Sequence, residues 1–420
     1  MYDAAGFLMR KGIFSMPYQW IKGDVCAPKG FQASGIHCGI RKNRSKKDLA
    51  LIFSDTMCTA ASVYTTNKVQ GAPILVTKQH LKDGKARAIL CNSGNANTCN
   101  ADGVEIANAM CQSAADALGI QQEDVVIAST GVIGQPLPLD PITNAMPDLV
   151  SHLGLDGTPA AEAIMTTDTF PKQAAVQFPL GGKTCSIGGI SKGSGMIHPN
   201  MATMLCFVTT DVAISSDMLQ KAVKLVADET FNMISVDGDT STNDMLTVLA
   251  NGQAQNPMIT EPGQEYDAFV EGLMMVCRQL AKQMAADGEG ATKLLECTVT
   301  GAPSKETARK VAKSVVCSTL FKAAMFGEDA NWGRILCAIG YTDAAFDIDK
   351  VGVVLASEAG QVEVCHGGAG VPFSEDTAKQ VLSEKEIQIL ISMNEGDGEA
   401  TAWGCDLSYD YVKINGDYRT

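Results

Sequence analysis

Residues 188–205 run GGISKGSGMIHPNMATML. The stretch is dense in glycine, carries one lysine (Lys192), passes through Pro199 and Asn200, and enters an apolar run at Thr203. It is not a Walker A loop, which needs Gly-Lys-Ser/Thr opening a helix. Here Lys192 precedes Gly193 and Ser194, and no helical pattern follows. Upstream, Gly182-Lys183-Thr184 has the right tail, but Gln177 stands where the first glycine belongs, and a strand follows. What remains is a small-residue junction, Ala202-Thr203, between a proline-bearing turn and a strand. Threonine is an ordinary strand residue, yet it also carries a definite chemistry. If the turn is strained, the Thr203 hydroxyl can attack the Ala202 carbonyl, and water can cleave the ester formed. Thr203 is then a free N-terminus, whose α-amine, with an ordinary pKa of about 8, can act as base for its own hydroxyl. That supplies a nucleophile without imidazole in a chain that has only five histidines, none in HExxH and no two at ligand spacing.

Outward from this junction, short apolar runs alternate with amphipathic stretches. DLALIFSD (48–55), ARAILCNS (86–93) and DVVIAST (124–130) read as strands ending in turn chemistry, while VEIANAMCQSAADALG (104–119) has helical spacing and stops at Gly119. The strongest helical patterns are 216–234, 265–288 and 304–327; Ser216 and Ser304 stand at N-cap positions, and Gly288 and Gly327 close the last two. Strands are expected again at 203–214, 245–252, 293–302, RILCAIGY (334–341) and 351–358. The tail, EIQILISMNEG and then ATAWGCDLSYDYVKING, reads as two more strands joined by the turn NEGDGE. The sum is mixed α/β of the α+β type, helices packed on sheets.

Bulk properties narrow the function. A 420-residue chain that is 45% hydrophobic can build a sizeable core. Its net charge of −14 argues against nucleic acid or an anionic membrane as the main partner, and it obliges any carboxylate-binding site to supply a local cation or backbone donors. Fourteen cysteines without any CxxC pair (Cys91 and Cys99 are closest) read as small buried residues in a reducing cytosol, so no metal is expected. DGDTSTND (237–244) starts like a calcium loop but has Thr242 where glycine is required and Val248 where the closing glutamate belongs. The basic cluster from Arg41 to Lys47 reads as a solvated hairpin turn, and no window has the length of a membrane helix. The first 22 residues read as an extension upstream of the functional start, with Met16 as an alternative start.

KGSGMIHPNMATML resembles the cleavage-site signature of the ornithine acetyltransferase (glutamate N-acetyltransferase) family. Further blocks similar to that family follow in order: APKGFQASGIHCGIRK (27–42), TTNKVQGAP (65–73), CNSGNANTC (91–99), STGVIG (129–134) and TTDTFPK (166–172). Beyond the junction come SVDGDTSTND (235–244), GEGATK (288–293), GEDANWGR (327–334) and KINGDYRT (413–420). The resemblance implies a fold of helices layered on β-sheets, shared with DmpA-like self-processing proteins. It implies cleavage between Ala202 and Thr203 into an α chain, 1–202, and a β chain, 203–420, assembled as an α2β2 heterotetramer in the cytoplasm. Thr203 would be the nucleophile, Thr130 and Gly131 the oxyanion hole, and Thr166, Lys192, Thr203, Glu289, Asn415 and Thr420 the substrate-binding residues. Each has a plain structural alternative: a helix end for Thr166, a surface turn for Glu289 and Asn415, a frayed terminus for Thr420. The implied reaction moves acetyl from N-acetylornithine to glutamate without cofactor, with acetyl-CoA as an optional second donor. The competing expectation is a self-processing amidase or aminopeptidase, with water as acceptor.

Overall fold

The apolar runs pair into two sheets. The computed structural model describes residues 18–198 and 204–417, so Ala202, Thr203, Thr420 and residues 1–17 of the N-terminal extension lie outside the described residues. Among the described residues, sixteen strands are present. The first sheet holds β1 (Gln19–Ile21), β2 (Phe31–Ile36), β3 (Leu49–Tyr64), β4 (Lys85–Asn95), β5 (Val125–Val132), β6 (Lys172–Leu180), β7 (Lys183–Lys192), β8 (Leu205–Thr210) and β10 (Met245–Ala250). The second holds β9 (Ile234–Ser235), β11 (Leu294–Ala302), β12 (Gly352–Ser357), β13 (Gly360–His366), β14 (Ala369–Gly370), β15 (Glu386–Ser392) and β16 (Gly398–Cys405). Their orders are β1-β6-β7-β8-β10-β3-β4-β5, with β2 also on β3, and β14-β13-β12-β15-β11-β16-β9.

β3 runs past the expected end at Asp55. Its first part pairs with β2 and its last part with β10, and the register against β4 shifts between Phe53 and Cys58. The turn-like SDT in the sequence marks that bulge rather than a chain reversal.

Helix Gln264–Ala286 lies between the sheets, packing on β6 and β7 of one and on β11 and β16 of the other. Its apolar face, including Phe269, Leu273, Val276, Leu280 and Met284, is buried in a core that also takes Val176, Ile187, Leu295 and Cys297. Each such side chain stabilises the packing by about 1.5–3 kcal/mol. Helix Lys305–Cys317 covers the opposite face of the second sheet: Gly404 backs onto Val316, while its neighbour Cys405 meets Gly288 at the end of the central helix. Helix Thr158–Ile164 covers β2 and β3, and helices Ala72–His80, Gly103–Leu118 and Asp140–Ser151 enclose a third core around β4 and β5. The chain therefore adopts the expected α/β architecture, helices layered on β-sheets.

Several local expectations are corrected. RILCAIGY is not a strand but part of helix Trp332–Gly340: the Asn331 side chain accepts from Arg334 N–H as N-cap, and Ile335, Ala338 and Ile339 bury one face. A short apolar run fits either period, and here the cap decides. The last predicted strand ends at Cys405, after which Ser408 caps helix Tyr409–Gly416. The helix expected over 304–327 is two, broken at Ser318, whose hydroxyl accepts from Phe321 N–H. The helix expected over 216–234 ends at Glu229, and its N-cap is Ser215, not Ser216. The strand expected over 203–214 is confined to Leu205–Thr210. Nine cysteines are buried and all fourteen are free, Cys91 and Cys99 among them. Among the described residues no helix is long and apolar enough to cross a membrane.

Candidate active site

Three strand ends meet at one corner of the first sheet. Leu205, the first residue of β8, is in register with Lys192, the last of β7, and with Met245, the first of β10. Met204, one residue ahead of β8, is thereby held between two strands. A cavity of about 130 Å³ opens there, and Thr130, Gly131, Thr166, Lys192, Glu289 and Asn415 all line it, together with Met204 and Asp244. Six of the candidate residues, drawn from both sides of the junction, come together; Ala202, Thr203 and Thr420 lie outside the described residues.

Thr130 and Gly131 stand at the end of β5, beside Ser93 and Gly94 of β4. Gly131 has φ +132°, and a Cβ there would lie 2.3 Å from the Gly94 carbonyl carbon, so only glycine fits. The Lys192 ammonium donates to the Thr130 hydroxyl at 3.2 Å, placing a cation beside the candidate oxyanion donor. In a chain of net charge −14 this is the local cation that a carboxylate or oxyanion requires.

Across the cavity the Glu289 carboxylate accepts from the Asn415 side-chain amide at 2.7 Å. Asn415 sits on helix Tyr409–Gly416, which explains how a residue near the C-terminus reaches the site. Gly195 lies flat against Glu289; a Cβ would sit 2.3 Å from its carboxylate.

Beneath the cavity lies an ion triad. Lys172 is 0% exposed and bonds Asp168 and Asp287 at 2.6 Å each. Asp168 accepts from the N–H of Thr166 at 2.9 Å and of Gly193 at 2.8 Å. Asp287 accepts from Thr169 N–H, its carbonyl accepts from the Ser194 hydroxyl, and the Ser194 carbonyl accepts from Glu289 N–H. One buried cation thus fixes the backbone that carries Thr166, the glycine loop and Glu289. Burial alone would raise the Asp168 carboxyl, but Lys172 and Lys192 outweigh it and hold it down at about 2.

The acidic loop set aside as a failed calcium site holds backbone: Asp237 accepts from the N–H groups of Met196 and Ile197 at 2.6 and 2.9 Å. His198 does not line the cavity. Its ring lies 3.1 Å from the Ser235 hydroxyl and 3.5 Å from Cys317 Sγ, and burial together with Lys313 holds the imidazole down at about 4, hence neutral. Sequence reasoning missed Asp168, Lys172, Asp287 and Asp244. The first three stood inside or beside the blocks TTDTFPK and GEGATK, where charged residues amid small ones were the available signal.

A corner that can hold a carbonyl oxygen beside a cation, facing a carboxylate, is suited to acyl transfer on an amino-acid-like substrate, and the chain is an acyltransferase. It belongs to the ArgJ family, whose profile matches residues 32–420. It is 52% identical to the arginine biosynthesis bifunctional protein of Caldanaerobacter subterraneus subsp. tengcongensis over 402 residues, 95% of this chain and 99% of that one. With its counterpart from Symbiobacterium thermophilum it shares 52% identity over 405 residues, 96% and 100% of the two chains. Among solved structures it is similar to ornithine acetyltransferase of Mycobacterium tuberculosis complexed with ornithine (36% identity, TM-score 0.41, 44% of this chain and 100% of that one).

Proposed function

We propose that the chain cleaves itself between Ala202 and Thr203 and then transfers acetyl from N-acetylornithine to glutamate in arginine biosynthesis. The relatives that align along almost all of this chain are arginine biosynthesis bifunctional proteins. Thr203, freed as an N-terminus, attacks the acetyl carbonyl, with its own α-amine taking the hydroxyl proton. Thr130 and Gly131 stabilise the tetrahedral oxyanion. The C–N bond breaks, the amine returns the proton to the leaving ornithine nitrogen, and acetyl remains as an ester on Thr203. Glutamate then takes the acetyl group by the same steps reversed. Lys192 offsets substrate carboxylate charge, and Glu289, oriented by Asn415, pairs with the ornithine side-chain ammonium. Thr166 and Thr420 complete the substrate site. No cofactor is needed; acetyl-CoA would serve as second donor in keeping with a bifunctional protein. The mature assembly is two α (1–202) and two β (203–420) chains in the cytoplasm.

The observation that carries this reading is the convergence of residues 130, 131, 166, 192, 289 and 415 on one cavity that Met204, neighbour of the junction, also lines. Denaturing gels should give two bands, and N-terminal sequencing of the β band should read Thr-Met-Leu-Cys. Ornithine release from N-acetylornithine should require glutamate; release at the same rate without acceptor would establish the hydrolase alternative instead.

Thr130→Ala is expected to lower kcat by about 100–1000-fold with little change in KM, since a donor to the developing oxyanion acts in the transition state. Thr130→Ser should recover most of the loss. An equal rise in KM at constant kcat would instead make Thr130 a ground-state binding residue.

A further inference from the structure

Asp244 stands just ahead of β10. It is 3% exposed, and its Oδ2 has no hydrogen-bond partner among the described residues. Burying a carboxyl with an unmet oxygen is costly, and this one forms part of the cavity wall. Strand register carries it to the junction. Leu205 pairs with Met245 in parallel, so Met204 and Asp244, each one residue earlier, are neighbours. The Met204 carbonyl accepts from Met245 N–H at 2.8 Å, and the Met204 N–H and the Ser241 hydroxyl both bear on the Asp244 carboxyl. The nitrogen of the Ala202-Thr203 bond is three covalent bonds from the Met204 nitrogen, so it lies within about 4 Å of it in any backbone conformation.

We propose that Asp244 is the proton relay of self-cleavage, an inference that rests on reading Thr203 as the self-cleaving nucleophile. A neutral carboxyl accepts a proton on one oxygen while giving one from the other. The Thr203 hydroxyl oxygen bonds to the Ala202 carbonyl carbon, and its proton passes to the open oxygen of Asp244. The proton already on Asp244 passes to the Thr203 nitrogen as the C–N bond breaks. The products are an ester and an amine, and Asp244 ends neutral, as it began. Water then hydrolyses the ester to the Ala202 carboxylate and the free Thr203 hydroxyl.

The role needs a carboxyl that stays neutral at ordinary pH. Burial pushes Asp244 well above the usual carboxylate range, outweighing Ser241, the Lys192 ammonium and the Met204 N–H, which favour the charged form. The other ionisable groups lining the cavity are Lys192 and Glu289. The adjoining strand β3 is followed by Thr65, which is uncharged and donates its N–H to the Asp244 carbonyl at 3.1 Å.

The test is self-cleavage of the full chain made by cell-free translation and followed on denaturing gels. Asp244→Asn keeps the shape and can still accept from Met204, but cannot exchange protons. It is expected to split at least about 100-fold more slowly than the unmodified chain, with Asp244→Glu recovering part of the rate. Thr203→Ala, run alongside, should not split. If Asp244→Asn splits within about threefold of the unmodified rate while Thr203→Ala stays whole, the relay is wrong and the nucleophile stands; splitting of Thr203→Ala overturns the nucleophile itself. Should Asp244→Asn lack a thermal transition, the pH profile of the unmodified chain decides. Its rate should be level and then fall about tenfold per pH unit once the carboxyl ionises. A rate that climbs with pH, or stays level until the protein unfolds, overturns the proposal.

Discussion

A Thr203→Ala chain is expected to remain one uncut polypeptide and to lose acetyl transfer by about four orders of magnitude or more. Under the proposed mechanism two functions fall together because one hydroxyl would perform both: attack on the Ala202 carbonyl once, and on the acetyl carbonyl at every later turnover. The remaining parts, Thr130, Gly131 and Lys192 at one side of the cavity and Glu289 at the other, would still bind substrate and would account for the residual rate. Thr203→Ser separates the two functions, since serine keeps the nucleophile and loses only a methyl group. It should still split, and its acetyl transfer should fall far less than that of the alanine variant. Gels and a coupled ornithine assay read both effects. A cut Thr203→Ala protein that still transfers acetyl would remove Thr203 from the mechanism altogether.

The fold could be read from the chain where periodicity ran long. Helix Gln264–Ala286 was legible because apolar residues recur along one face for six turns, and helix Gly103–Leu118 because Gly119 ends it with φ +67°. Helix Trp332–Gly340 was misread because nine residues are too few to separate a helical period from a buried strand, and the deciding feature was the Asn331 cap. The site was legible unevenly for a related reason. The junction shows itself locally, as glycine density, proline and a small-residue pair, but its chemistry came from resemblance rather than from any pattern in the residues. The supporting ions show only as charged residues amid small ones, with nothing in the sequence to say that they pair. Lys172 and Asp287 are 115 positions apart, and only the packing of the central helix against β6 brings them to 2.6 Å. Asp244 lies in a loop whose sequence resembles the start of a calcium site, whereas its place beside the junction depends on β8 and β10 starting side by side.

Lys172→Met should lower the melting temperature of the enzyme by about 3–6 °C, the equivalent of roughly 3–5 kcal/mol in a chain of this length. Methionine fills similar volume, so cavity formation contributes little; the loss comes from leaving Asp168 and Asp287 buried without their cation. The pH dependence gives the mechanism away. In the unmodified protein Asp168 is held at about 2, below the ordinary 3.8. Its contribution to stability is therefore complete above about pH 4 and disappears as pH falls through about 2. Without Lys172 the dominant remaining influence is burial, which raises the carboxyl instead. The variant should then gain stability relative to the unmodified enzyme as pH drops from 7 toward 5, because protonation neutralises what the lysine no longer pairs. The same change should reach the chemistry. The Asp168 carboxylate holds the N–H groups of Thr166 and Gly193, and the Asp287 carboxylate holds Thr169, while the Asp287 backbone carbonyl holds the Ser194 hydroxyl. Both rims of the cavity shift once these carboxylates lose their common partner, and kcat/KM should fall well beyond what reduced stability explains at a temperature where the variant is fully folded. Melting curves at pH 7 and 5, with kinetics at low temperature, test all three statements. An unchanged melting temperature at pH 7, or a deficit that grows on acidification, would show that the triad does not hold the site.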